Sequence, residues 1–407
     1  MSKDKLNINI KPLGVLDLLT FKKLVPYRKK KIVEAPANPV KETPPVNVLA
    51  HRLHPQRQYM TVSEIVEETA AARTYRLVPD KDSETFELAQ FRPGQYLSFS
   101  FNIEGSTVTR PYSISSSPEE ALKGFYEITV KQNEGGYVSN FIFKNWKPGT
   151  AVISSGPQGY FYHERLRDSS KVIGIAGGCG ITPFRSMAKS IAEGALDISL
   201  TLFYGSNTIN EIIFLKEFEE LERASKGRLK VVHVLSEEKA EGIEYGFITG
   251  DLIRKHADLN GSSVFICGPQ VMYQFLRKEI GSLGLRKKDV RWELFGEIKN
   301  VDKVTGYPME KADGSFMMFV HMDGSTQRIP ASAGESLLTA LERAGMNPPS
   351  ACRSGACGFC RSLLISGDVF IPEDEDGRRL ADKKFGYIHP CSSFPVSDLE
   401  IIIPRAR

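Results

Sequence analysis

The sequence predicts a multidomain protein with three folded parts in a row: an antiparallel β-barrel, an α/β doubly wound domain and a C-terminal α+β domain. Three observations predict it. From residue 58 to about 168, short apolar runs are separated by turn residues, the pattern of a small barrel. From Lys171 the apolar runs alternate with helix-length segments, as in βαβ units. Beyond residue 314 come one hairpin, one helix and a loop rich in cysteine. The expected boundaries are 1–57 for an N-terminal tail and Pro-rich linker, 58–168, 169–297, a linker at 298–313, and 314–407.

Composition narrows the function classes. A chain of 407 residues is too long for one core, and 41% hydrophobic with 25% charged residues is ordinary for a globular protein. The net charge of +4 sits in the first fifty residues, which carry about +6 and leave the rest slightly acidic. That argues against a nucleic-acid-binding body. Four of six cysteines fall in one pattern rather than a disulfide framework, which fits a reducing, cytoplasmic setting. No apolar run approaches a bilayer-spanning length.

The tail holds one short expected helix, Val15 to Val25, stopped by Pro26. A basic run, Arg28 to Lys31, follows, and Pro36, Pro39, Pro44 and Pro45 keep the chain extended. Such a helix on a tether could dock a partner or an acidic membrane surface, although a tail packing on its own protein is the readier expectation.

The barrel strands are expected at Tyr59–Val66, Thr74–Leu77, Tyr96–Phe101, Thr107–Ser115, Phe125–Lys131 and Ala151–Ser154. Within them Arg110, Tyr112 and Ile114 share one face, while Pro111, Ser113 and Ser115 share the other. An Arg can pair with phosphate, an aromatic ring can lie on a flat heterocycle, and a hydroxyl can bond a ring nitrogen. Gly135-Gly136-Tyr137-Val138-Ser139 then opens a short helix whose free N–H groups could hold a phosphate.

In the second domain, Val172 to Ala176 leads into Gly177-Gly178-Cys179-Gly180-Ile181-Thr182-Pro183, with a helix expected from Phe184 to Glu193. A glycine-rich turn between strand and helix is where a dinucleotide pyrophosphate meets N–H groups and the helix dipole. Further strands are expected at Ser199–Tyr204, Leu229–Leu235 and Ser263–Cys267. Tyr204-Gly205-Ser206-Asn207, Cys267-Gly268-Pro269 and Trp292-Glu293-Leu294-Phe295-Gly296 should lie at the carboxyl edge of the sheet, where such sheets bind ligands.

The last domain opens with an expected hairpin, Phe316–Val320 and Thr326–Ile329, turning through Asp323-Gly324. A helix follows at Glu335–Ala344. Cys352, Cys357 and Cys360, spaced C-x4-C-x2-C, are answered by Cys391, the spacing of plant-type 2Fe-2S ligands. Zinc sites usually present two short cysteine or histidine pairs, and here there is one. Ser354, Gly355, Ala356 and Gly358 are small enough for backbone N–H groups to approach a cluster. The acidic run Glu373–Asp376 reads as a solvated loop.

These motifs together resemble the ferredoxin-NADP reductase superfamily, in the single-chain oxygenase-reductase form with a C-terminal β-grasp ferredoxin domain. Its R-x-Y-S-x-x-S flavin motif is matched by Arg110, Tyr112, Ser113 and Ser116. The resemblance implies FAD against Tyr112 and Ser113, with FMN as the alternative, and Pro111, Gly136, Val138 and Ser139 among the flavin contacts. It further implies that Gly178, Gly180, Thr182 and Pro183 hold the coenzyme pyrophosphate. Ser206 and Asn207 would lie near the adenosine ribose, and Cys267, Gly268 and Pro269 near the nicotinamide. Phe295 would approach the flavin, and Ser113, Cys267 and Phe295 would stand at the reacting centre. The implied activity is an electron-transfer reductase, NAD(P)H:acceptor, serving a protein acceptor such as an oxygenase. A redox-sensing or scaffold subunit is the competing class. After Tyr204-Gly205, no basic residue occurs before Lys216, and Glu211 would repel a 2′-phosphate; NADH is therefore expected over NADPH.

Overall fold

The computed structural model describes residues 15–35, 44–83 and 85–404. It divides into two units, 1–49 and 50–407.

In the first unit, α1 spans Val15–Glu34 and runs straight through Pro26, where the sequence led us to expect a stop. Proline removes one N–H and crowds the carbonyl four residues back, yet the helix continues through the exposed stretch Tyr27 to Val33. The Arg and Lys residues that follow favour helix. α2, Pro45–Leu53, replaces the extended chain expected at Pro45; proline suits a first helical position because its missing N–H is unneeded there. Pro36 and Pro39 lie outside the described residues. Among the described residues no helix is long and apolar enough to cross a membrane.

The second unit begins with a six-stranded antiparallel sheet of β1 (Gln58–Thr69), β2 (Ala72–Pro79), β3 (Tyr96–Ile103), β4 (Ser106–Ser113), β5 (Tyr126–Lys131) and β6 (Ala151–Ser154). Their order is β4-β3-β6-β1-β2-β5. Strand alternation turns Met60, Val62, Tyr75, Leu77, Phe99 and Ile128 into one buried core. Two helices are inserted, α3 (Pro118–Leu122) and α4 (Tyr137–Asn145).

The second sheet is parallel: β7 (Lys171–Gly177), β8 (Ser199–Ser206), β9 (Leu229–Leu235), β10 (Glu244–Tyr245), β11 (Ser263–Cys267) and β12 (Val290–Glu293), in the order β10-β9-β8-β7-β11-β12. Helices α5 (Thr182–Ala192), α6 (Leu215–Ala224), α7 (Gly250–His256) and α8 (Gln270–Gly281) connect the strands. Cores on its two faces explain the continuous apolar runs of β7 and β11. The order reverses at β7, so the crevice beyond its carboxyl end is the topological switch point.

The third sheet holds β13 (Ser315–Met322), β14 (Ser325–Ser332), β15 (Ser362–Ser366), β17 (Tyr387–Ile388) and β19 (Leu399–Ile402), in the order β14-β13-β19-β15-β17. β16 (Val369–Phe370) and β18 (Phe394–Pro395) pair separately. Asp323 and Gly324 both take positive φ, as the two-residue hairpin requires. Helix α9 (Leu337–Arg343) opens at Ser336, whose hydroxyl caps it, and α10 (Leu380–Lys384) is short. The stretch 298–313, expected as a linker, is packed. Ile298, Val301 and Tyr307 are buried with Phe394, because a few apolar residues among many charges are enough to strap the segment down.

Candidate active site

The barrel meets the parallel sheet through a buried charge cluster. Arg185 on α5 donates to Glu127 on β5 at 2.7 Å and to Glu217 on α6 at 2.7 Å. Its guanidinium lies over the Phe214 ring. Ser186 Oγ donates to the Ser116 carbonyl at 2.6 Å. Ser116 is fully buried, and its own hydroxyl accepts from the Glu127 N–H at 3.0 Å. Ser116 is thus engaged in holding the two sheets together.

Beside this seam β4 presents Arg110, Pro111, Tyr112 and Ser113. Arg110 donates to the Thr109 carbonyl at 2.7 Å. Burial, and then the nearby Arg353, lower its pKa, so the cation is held away from water and an anion would be welcome. Tyr112 packs against the barrel core, 6.0 Å between ring centroids from Phe99. Ser113 is buried and its Oγ has no hydrogen-bond partner. An orphaned hydroxyl in this position is costly unless a ligand completes it, so the residues fit a flavin ring. Gly136 precedes α4, and Ser139 Oγ accepts from the Asn133 N–H at 3.3 Å. Val138 is buried in the barrel core.

At the switch point a cavity of about 520 Å³ is lined by Gly178, Ser206, Asn207, Glu211 and Pro269, all singled out in the sequence. Gly178 has φ +50 and open space where a side chain would stand, so its backbone can meet a phosphate closely. That cradle fits a dinucleotide. Gly180 does a different job, since a Cβ there would strike the Cys267 carbonyl oxygen at 2.1 Å; the turn is pressed onto the end of β11. Thr182 and Pro183 are buried behind the turn, with Thr182 Oγ1 donating to the Cys179 carbonyl at 3.0 Å. Cys267 is fully buried and burial pushes its thiol well up. The Gly268 N–H donates to Tyr273 Oη at 2.9 Å. Phe295 stands edge-on to Tyr96, ring centroids 6.2 Å apart.

Sequence reasoning missed two features of this cavity. Lys131, from the barrel, lines it and pairs with Glu211 at 3.0 Å. Phe247 and Phe275 stand 5.7 Å apart on its wall. Both come from segments without a motif; only the exposed aromatic Phe247 could have hinted at a ligand face.

Residues 352–360 form the cysteine loop. The Gly355 N–H donates to Cys391 Sγ at 3.2 Å, and the Ser354 and Cys357 N–H groups to Cys352 Sγ at 3.4 Å. Phe359 N–H donates to Cys357 Sγ at 3.4 Å, and Cys360 and Cys391 sulfurs are 3.4 Å apart. Backbone N–H groups aimed at thiolates are the environment an iron–sulfur cluster needs, so the four cysteines fit one. Among the described residues no three His, Cys, Asp or Glu side chains are arranged around a single ion. The loop depends on Gly355 and Gly358, at φ +74 and +72. Gly377 packs so closely that a Cβ would lie 2.5 Å from the Gly355 carbonyl. The acidic run beside it is partly tied down, Asp376 pairing with Arg378 and Lys383.

A second cavity, about 590 Å³, joins the barrel, β12 and the cysteine loop, lined among others by Tyr96, Phe161, Glu293, Cys352, Cys357 and Phe359. Burial, and then Cys352, push the Glu293 carboxyl up to about 8.

A flavin barrel, a dinucleotide crevice and a cluster loop in one compact unit define a class: nicotinamide-dependent flavoprotein oxidoreductases with a fused iron–sulfur domain. Residues 58–163 match the family described as the oxidoreductase FAD-binding domain. Residues 175–278 match the oxidoreductase NAD-binding domain, and 320–396 the 2Fe-2S iron-sulfur cluster binding domain. The chain belongs to the ferredoxin-NADP reductase superfamily, as a single-chain reductase of the oxygenase-reductase type. It is 31% identical over 346 residues to the ferredoxin reductase component of 3-ketosteroid-9-alpha-monooxygenase from Mycolicibacterium smegmatis, covering 83% of this chain and 94% of that protein. It is 28% identical to the glycine betaine monooxygenase reductase subunit of Chromohalobacter salexigens, covering 83% and 93%. The solved structure of phthalate dioxygenase reductase has the same fold, with TM-score 0.61, 24% identity and coverage of 86% and 98%. The protein is an NAD(P)H-dependent electron-transfer oxidoreductase with FAD, NAD and 2Fe-2S domains.

Proposed function

We propose that this reductase draws electrons from NADH and delivers them to an oxygenase component in the cytoplasm. The observation that carries the reading is the closeness of the barrel to the cluster loop: Tyr96 shares a cavity with Cys352 and Cys357, and Thr109, the neighbour of Arg110, meets Ser350, two residues before Cys352, at 2.6 Å. Bound FAD would take electrons from the coenzyme in a pair and the 2Fe-2S cluster would carry them singly. The chain's own residues bind and orient. Arg110 pairs with flavin phosphate, assisted by the N-terminus of α4 around Gly136, Val138 and Ser139. Tyr112 lies on the ring, with Pro111 and Ser116 shaping the strand, and Ser113 Oγ donates to a ring nitrogen. Gly178 receives the coenzyme pyrophosphate on a turn held by Gly180, Thr182 and Pro183. Ser206, Asn207 and Glu211 face the ribose, while Cys267, Gly268, Pro269 and Phe295 bound the nicotinamide end. Cys352, Cys357, Cys360 and Cys391 ligate the cluster. The domains we assign are 58–168, 169–297 and 314–407.

NADH preference is supported by the Lys131–Glu211 pair, because the cation nearest the ribose end is already neutralised. A 2′-phosphate would meet Glu211 before it met a free charge. Steady-state kinetics with both coenzymes test this: kcat/KM should be higher for NADH, and Glu211→Gln should raise the value for NADPH. A wild-type preference for NADPH would refute it. α1 exposes Leu24, Val25, Tyr27, Ile32 and Val33 among basic residues, which supports docking of this segment on a partner or an acidic surface.

A further inference from the structure

Arg353 is the residue after the first cluster cysteine, and it is unusual three times over. It is 2% exposed, it is a cation, and it takes φ +56. A buried arginine is tolerated only when carboxylates match it, and two do. Its Nη1 and Nη2 meet both oxygens of Glu342, at 2.5 and 2.9 Å. Glu342 lies on α9, inside the ferredoxin domain. Nη2 also stands at ion-pair distance from Oε1 of Glu297, a buried oxygen that accepts no hydrogen bond. Glu297 belongs to another part of the chain, the segment that leaves β12 after Phe295. Its second oxygen accepts from Thr339 Oγ1 at 2.6 Å and from the capping hydroxyl of Ser336. One carboxylate therefore grips both the cluster loop and the start of α9. A second tie runs from the barrel, where Thr109 Oγ1 and Ser350 Oγ are 2.6 Å apart, two residues before Cys352.

We propose that Glu297 is a positioning residue that fixes the cluster loop, through Arg353, at the distance and orientation that let electrons pass between the flavin and the cluster. The inference rests on the reading of those two cofactor sites given above. The division of labour between the two carboxylates is what makes it specific. Removing Glu297 leaves Arg353 bidentate on Glu342, so the buried charge stays compensated and the loop keeps its internal support. Only the link to the nucleotide domain is lost. Electron transfer between fixed centres falls exponentially with distance, so a small displacement of the cluster loop slows it.

The test is Glu297→Gln in the full-length holoprotein. Iron, sulfide and flavin contents and the cluster's spectroscopic signature should match the wild type. NADH-dependent ferricyanide reduction, which can draw on the flavin alone, should keep its kcat and its KM for NADH. Reduction of the cluster after rapid mixing with NADH should slow severalfold, and cytochrome c reduction should fall with it. Independently of turnover, trypsin should cut sooner at Lys299, Lys303 or Lys311, all exposed on the strap that Glu297 begins. Glu297→Asp should restore part of the rate. A wild-type rate of cluster reduction in Glu297→Gln would overturn the proposal. So would loss of iron, since Glu297 would then support the cluster loop itself. If Glu297→Gln fails to fold, Thr339→Val, which keeps every charge and removes one anchor of Glu297, must slow cluster reduction in the same direction; an unchanged rate there would overturn the proposal equally. Absence of any cluster signal in the wild-type protein would instead sink the functional reading.

Discussion

Gly180→Ala isolates the job of the glycine-rich turn. Gly180 does not have a positive φ, so alanine suits its backbone and any effect must come from the methyl group. That methyl would stand 2.1 Å from the Cys267 carbonyl oxygen, 2.5 Å from the carbonyl carbon and 2.7 Å from the Gly268 Cα. All three are backbone atoms of a buried strand end and cannot rotate away. Ordinary contact near 3.5 Å requires the turn to retreat from β11 by about 1.4 Å. Overpacking of this kind costs about 1–3 kcal/mol. If the turn positions the coenzyme, the cost appears as a loss of roughly 5- to 150-fold in kcat/KM for NADH. The assay is ferricyanide reduction under varied NADH, with flavin content and cluster absorbance as controls for the barrel and the last domain. Gly178→Ala is the companion: its methyl meets no protein atom, but φ +50 and a place on the cavity wall mean about 1–2 kcal/mol of strain and an obstructed phosphate. A folded Gly180→Ala protein with wild-type kcat/KM would refute the reasoning.

Cys357→Ser should remove the cluster signal and cytochrome c reduction while leaving flavin bound and ferricyanide reduction largely intact; unchanged iron and sulfide contents would show the ligand assignment to be wrong. Arg110→Ala should weaken flavin retention by about 1.5–3 kcal/mol, roughly tenfold to a hundredfold, read from the flavin released on dilution. Glu127 tests the seam between barrel and parallel sheet. Burial pushes its carboxyl up, but Arg185, Lys189 and Arg76 together hold it below the ordinary value of 4.5. A depressed folded pKa gives stability that is present above the unfolded value and lost as pH falls through the folded one. Glu127→Gln should therefore cost about 3 kcal/mol near neutral pH and flatten the loss of stability below pH 4.5, both seen in urea midpoints measured across that range.

What the sequence made legible was whatever chemistry writes locally. Three of the four expected cluster ligands share one loop, so Cys352, Cys357 and Cys360 carry their meaning in their spacing. A turn between strand and helix needs glycine where backbone meets phosphate, so Gly178 stood out. Alternation and apolar runs disclosed all six barrel strands and the parallel strands β7, β8, β9 and β11, because burial imposes a period on neighbours in the chain. The rest depends on pairs far apart in sequence. Nothing near Lys131 announces Glu211, nothing near Glu297 announces Arg353, and Arg185 in a helix gives no sign of Glu127 across a domain boundary. Local rules also misled where context outweighed them. Pro26 did not end α1, and the charged strap 298–313 packs through Val301 and Tyr307.

This one chain is expected to conduct electrons from NADH through flavin to its own 2Fe-2S cluster. Anaerobic addition of NADH to the purified holoprotein, followed by visible absorbance and low-temperature electron paramagnetic resonance, tests it most directly. The flavin should bleach, and a signal from the one-electron-reduced cluster should then appear, close to stoichiometric with the chain. Flavin that bleaches while the cluster stays oxidised, or no bleaching at all, would contradict it.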